Sequence, residues 1–184
     1  MKYFLEVAEL VTLEQQEKWE EARSLLFDQW NSDKNSIDKL LRMMTECWYV
    51  LVEWDCCIAN EGLSFQQFKE TLMLSADYGL QHFPENSRFL CMAGYMISLF
   101  PYLFYQDGLD YNYLELEQKG KEMLAASYAL NPDDPVATVF SLGTKNQDQE
   151  YLEAKAMFSA SFTDLFQGET AIEQYFRDIL SINK

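Results

Sequence analysis

The octet MLSADYGL, Met73–Leu80, returns as MLAASYAL, Met123–Leu130, with five of eight positions identical at an offset of 50. Each copy is followed by a proline turn, Pro84 in HFPENS and Pro132 in NPDDP, and then by a further apolar run. Apolar residues three and four apart share one face of a helix. The duplication therefore predicts a helix–turn–helix unit used twice, against which the rest of the chain must pack. Gly (7) and Pro (4) are scarce over 184 residues. That is poor material for a turn-rich all-β protein and good material for long helices.

Local signals mark the helix ends. Thr12–Gln15 (TLEQ), Ser64–Gln67 (SFQQ) and Thr170–Glu173 (TAIE) have the spacing of a capping box. Asp134 before Pro135 reads as an N-cap followed by proline at the first helical position. Gly62 and Gly168 stand where helices can stop. These signals predict about eight helices, over 13–30, 37–59, 65–82, 87–100, 113–130, 135–143, 148–166 and 170–182. Residues 2–11 read equally well as a strand or an early helical turn. No Pro-, Gly- or Ser-rich linker divides the chain. With 48% apolar residues, a chain of this length buries roughly 70% of its unfolded surface. The expectation is one helical domain over 1–184, interrupted by an insertion at 101–113.

Leu90, Ala93, Gly94 and Ile97 fall near the first-helix spacing of the tetratricopeptide repeat. Gly120, Leu124, Ser127 and Pro132 fall on its second-helix spacing. Residues 65–166 thus resemble that family, although the characteristic Trp is absent and the interval is 50, not 34. The resemblance implies an all-α array of antiparallel helical hairpins. The excess length lies in PYLFYQDGLDYNY, residues 101–113.

The stretch ECWYVLVEWDCC, residues 46–57, holds three carboxylates, two Trp and three Cys. On a helix its apolar residues cover nearly every face, the pattern of a central buried helix with Leu51, Trp54 and Ile58 inward. Arg42 stands four residues before Glu46, the spacing of a helical ion pair. Zinc needs Cys or His at ligand spacing. Cys56 and Cys57 are adjacent, and His82 is the only imidazole. No P-loop, dinucleotide, nucleophile-elbow or metalloprotease motif is present. DGLDYNYLELEQ lacks the order of a calcium loop. The sequence therefore predicts no catalytic residues, no cofactor and no metal. The four Cys read as reduced thiols of a cytoplasmic protein.

Charge narrows the partner. The formal net charge is −16, with 30 acids against 14 bases, and 16 of the acids lie in the first half. An evenly acidic surface repels nucleic acid and anionic membranes. It attracts basic proteins. The insertion concentrates the same chemistry with aromatics. Tyr105, Asp107, Asp110, Tyr111, Tyr113, Glu115 and Glu117 lie within thirteen positions that hold no base. Tyrosine supplies rigid contact area, and carboxylates steer a basic partner. These seven are the candidate partner-binding residues.

In size, acidity and helical content the chain also resembles the small immunity proteins of bacterial contact-dependent growth-inhibition systems. That resemblance implies a non-enzymatic module that neutralises a basic toxin, a nuclease in the first instance. Two other readings compete. One is a tetratricopeptide-type secretion chaperone or adapter with a groove lined by apolar and Asn side chains. The other is a small-ligand-binding helical protein built around Glu53, Asp55 and the tyrosines.

Overall fold

A computed structural model describes residues 2–106, 112–144 and 148–181. The helices are α1 (Ala8–Gln15), α2 (Trp19–Ser32), α3 (Ile37–Val52), α4 (Phe65–His82), α5 (Ser87–Leu99), α6 (Tyr113–Leu130), α7 (Pro135–Gly143), α8 (Asp148–Leu165) and α9 (Ala171–Leu180). A 3-10 turn, Pro101–Leu103, follows α5, and no strand occurs among the described residues. The chain is all-α. Four helix starts are capped by the short polar side chain before them. The backbone N–H groups of Lys39, Gln67, Phe89 and Glu115 donate to Ser36, Ser64, Asn86 and Asn112. Asp134 caps α7, with Pro135 as its first residue.

Three predicted boundaries move. The span 13–30 is two helices, and residues 2–7 before them are neither strand nor helix. Between α1 and α2 the N–H of Lys18 donates to the Leu13 carbonyl (2.8 Å) and that of Glu17 to the Glu14 carbonyl (2.9 Å). That is a Schellman stop, and its left-handed position is held by Glu17 (φ 57°), not a glycine. Thr12 lies inside α1 and starts nothing. Helix α3 ends at Val52 instead of 59. The Glu53 carbonyl accepts from the N–H groups of Cys56, Cys57 and Ile58, and Asn60 Nδ2 donates to the Trp54 carbonyl (2.9 Å). Trp54 is consequently half-buried, edge-on to Phe65 (5.2 Å) and Phe68 (6.3 Å). Leu51 and Ile58 are buried, but Cys56 and Cys57 are exposed. Thr170 makes no backbone cap; its hydroxyl donates to Glu173 Oε2 at 2.6 Å.

Helix α3 runs through the middle of the core. From Leu40 to Leu51 only Tyr49 reaches partial exposure. Among the buried side chains are Arg42 and Glu46, so their pair is interior, not the surface contact its spacing implied. Arg42 Nη2 donates to Glu46 Oε2 and to Glu14 Oε1 of α1, each at 3.2 Å. The second Glu14 oxygen, Oε2, accepts the Ala171 N–H at the start of α9 (2.5 Å). One guanidinium thus joins α1, α3 and α9. Two buried carboxylates share it, and Glu173 adds a third acid nearby. Burial pushes the Glu46 carboxyl up to about 8; Arg42 offsets part of the rise and Glu14 adds to it.

Helices α5 and α6 make the tightest contact. Ser127 Oγ donates to the Ser87 carbonyl (2.7 Å), and Gly120 lies against Ser98, so the two run in opposite directions. A Cβ on Gly120 would stand 2.4 Å from the Ser98 backbone nitrogen, and one on Gly94 2.8 Å from the Gly120 carbonyl oxygen. Only glycine allows this backbone approach.

The two copies of the repeated octet do not bury the same face. In α4 the buried positions are Leu72, Ser75, Ala76 and Gly79; in α6 they are Gly120, Met123, Leu124 and Ser127. Burial is thus related by an offset of 48, two residues short of the sequence repeat. Leu124 is 1% exposed, and its counterpart Leu74 is 49% exposed.

Two outcomes follow from these contacts. Gly120→Ala is expected to destabilise the fold by about 1–3 kcal/mol despite alanine's higher helix propensity, because the obstacle is backbone; a melting temperature equal to the parent's would contradict the close crossing. The raised Glu46 carboxyl contributes stability that is full below its unfolded value. That contribution is lost as pH rises from the ordinary carboxylate range through about 8. Glu46→Gln keeps the shape and removes the titration. Denaturant melts at pH 5, 6.5 and 8 should show the variant gaining on the parent as pH rises; a difference independent of pH would refute the raised Glu46 carboxyl.

Candidate functional site

The outer face of α4 carries Gln66, Lys69, Glu70, Met73, Leu74 and Asp77 at helical spacing. Opposite it run Tyr102, Tyr105 and Gln106 of the segment after α5, and Tyr113 at the start of α6. Between them lies an open groove of about 680 Å³. Leu103 and Phe104 anchor the far wall by entering the core. The first part of the predicted insertion therefore packs into the core.

Contacts fix the groove's shape. Tyr105 and Tyr113 meet ring edge to face at 5.0 Å. Lys69 Nζ donates to the Tyr102 carbonyl (3.3 Å), and Gln106 Nε2 reaches Met73 Sδ (3.5 Å). Tyr102 (47%), Tyr113 (52%) and Leu74 remain about half exposed around the groove. Glu70 and Asp77 supply negative charge, and the one described cation, Lys69, is committed to a backbone carbonyl. A mixed lining, with Leu74, Met73 and three tyrosines set among Gln66, Gln106 and two carboxylates, suits a segment with basic side chains around a small apolar anchor.

The candidate residues divide. Tyr105 and Tyr113 line the groove. Asp107, Asp110 and Tyr111 lie outside the described residues. Glu115 serves the helix start: its Oε2 accepts the Asn112 N–H (2.8 Å), while its own N–H donates to Asn112 Oδ1 (3.0 Å). Glu117 pairs with Lys121 at 2.5 Å. Neither glutamate lines the groove. Leu74, Glu70, Asp77 and Tyr102 also line the groove. The sequence marks its α4 side, where Met73 and Leu74 are apolar in the middle of an otherwise polar stripe, off the period of the buried positions; nothing in the sequence sets Tyr102 apart.

Elsewhere the chemistry is sparse. His82 is exposed and stacks on Tyr78 at 3.8 Å. Cys47 and Cys91 are buried, and burial pushes both thiols well up, which disfavours a reactive thiolate. Among the described residues no three metal-capable side chains converge. No helix of the described chain is long and apolar enough to cross a membrane. No protein family, no curated protein and no solved structure matches the chain.

The reciprocal pair of hydrogen bonds between Asn112 and Glu115 makes the groove's end a question of stability. Asn112→Ala should cost about 1 kcal/mol, and Glu117→Ala, an exposed helical pair, only a few tenths. Thermal melts separate them; equal effects would mean that the cap contributes nothing.

Proposed function

We propose that this chain is a non-enzymatic protein-binding module that takes a basic partner through the groove between α4 and the segment after α5. One observation carries the reading. Leu74 stands half exposed where its repeat counterpart Leu124 is buried. Its neighbours in the groove are Tyr102, Tyr113, Glu70 and Asp77. Apolar side chains left exposed together beside charge are characteristic of interaction sites. The formal charge of −16 supports long-range attraction of a basic partner.

The most concrete form is an immunity protein that occupies the basic cleft of a toxin, a nuclease in the first instance, and acts in the cytoplasm. A nuclease cleft must be positive to hold phosphates, and an acidic partner meets that requirement from the other side. The groove's carboxylates and tyrosines, without asparagine, favour this over a chaperone's hold on an extended segment. The tetratricopeptide-like hairpin array belongs to the same proposal. The opposed helices α5 and α6, crossing at Gly94 and Gly120, support it.

The test uses the toxin domain encoded beside this chain's gene, with binding kinetics at two salt concentrations. The double reversal Glu70→Lys with Asp77→Lys should slow association and flatten its salt dependence, because screening acts first on exposed charges. Tyr113→Ala should act on dissociation, by about 1–3 kcal/mol. Both variants should melt like the parent. If the parent binds and neither variant alters a rate, the groove is not the interface. If the parent neither binds nor protects cells from that toxin, the immunity reading fails.

A further inference from the structure

A second concavity, separate from the groove, opens among α5, α6, α7, α8 and α9. Its volume is about 320 Å³, at the lower end of the range for small-ligand sites. Leu124, Phe140 and Ile179 give it apolar walls, and Tyr95 stacks on Phe140 at 4.2 Å. The room suits a single ring or a short chain.

The polar lining presents several lone pairs, with the Tyr151 hydroxyl able to donate as well. The Ser98 hydroxyl donates to the Tyr95 carbonyl (3.0 Å), and the Thr144 hydroxyl donates to the Ser141 carbonyl (2.8 Å). Each has spent its only proton and presents lone pairs. The Tyr95 hydroxyl is already paired with that of Tyr175 (2.9 Å). Burial pushes the Tyr95 and Tyr151 hydroxyls up, so both stay neutral. Asp148 is the only formal charge among the described lining residues, and a carboxylate only accepts. The nearest cation on the same helix, Lys155, lies two turns on, about 10 Å along the axis. It donates to the Ile179 carbonyl (2.8 Å) and sits over the Tyr151 ring at 5.3 Å. That ring already attracts an ammonium through its face.

An apolar cavity whose described lining offers hydroxyl lone pairs and one described charge, the Asp148 carboxylate, suits a donor with positive charge. We infer that this pocket binds a small amphipathic amine, a ring or short chain bearing one ammonium, with the ammonium at Asp148 and the apolar part against Leu124, Phe140 and Ile179. The site is independent of the docking groove and stands or falls apart from it.

The probe is 2-phenylethylamine, titrated calorimetrically into the intact protein, with 2-phenylethanol and phenylacetate as neutral and anionic analogues. The amine should bind about fivefold or more tighter than the alcohol, and phenylacetate should not bind. Asp148→Asn, at an exposed position, should bring the amine down to the alcohol's affinity with an unchanged melting temperature. Methyl signals of Leu124 and Ile179 should shift on addition of the amine. Equal affinity for amine and alcohol, or shifts confined to other methyls, would overturn the assignment. So would an unaltered preference in Asp148→Asn. The comparison of analogues on the parent protein decides the matter even if the variant folds poorly.

Discussion

Arg42 has one guanidinium to divide between Glu14 and Glu46, and three helices are held by that division. Removing either charge from water is costly, and attraction between the partners repays it only where geometry is good. Here Glu14 has a second bond to the Ala171 N–H, which places its charge at the positive end of α9. Glu46 lies against the shared Arg42 and against Glu14 itself, and its Oε1 is buried without a partner. The asymmetry explains why the proton settles on Glu46. The Schellman turn at Glu17 ends α1 within one turn of Glu14, whose side chain is buried. The N-terminal segment follows. Tyr3 N–H donates to the Leu165 carbonyl (2.9 Å), and the Phe4 ring lies among Phe166, Phe176 and the Arg42 guanidinium.

Helical class and most helix starts were legible because they depend on neighbours in sequence. Ser64, Asp134 and the proline turns act within a few residues and were read correctly. The misreadings share another cause. A Schellman stop at Glu17 uses a residue that ordinarily avoids the left-handed region, so composition gave no warning. The end of α3 depends on Asn60 reaching back to the Trp54 carbonyl, a contact invisible to periodicity. The Arg42–Glu46 spacing was visible, but its burial depends on α1 and α9 arriving from opposite ends of the chain.

One side of the groove was legible. Tyr105 and Tyr113, which line it, stand in a segment crowded with aromatics and acids. Leu74, Glu70 and Asp77 come from α4, and only the folded chain brings them opposite. The octet repeat obscured them, since identical residues suggested identical burial. Packing follows the crossing at Gly120, two residues out of step with the repeat, so a leucine that is core in one copy becomes surface in the other. Glu115 and Glu117 stand outside the groove: local charge density singles them out, and in the fold one closes a helix cap and the other pairs with Lys121.

The crossing of α5 and α6 has a consequence for how such a protein can diversify. Backbone contact at Gly94 and Gly120 holds both ends of the connection between the helices, and Leu103 and Phe104 moor its first turn. The sequence between Phe104 and Asn112 can then change with little effect on the frame, because the frame's own contacts are made by the two helices and by Leu103 and Phe104. A lineage that kept the two glycines and exchanged that short stretch would keep one chassis and acquire a succession of recognition specificities.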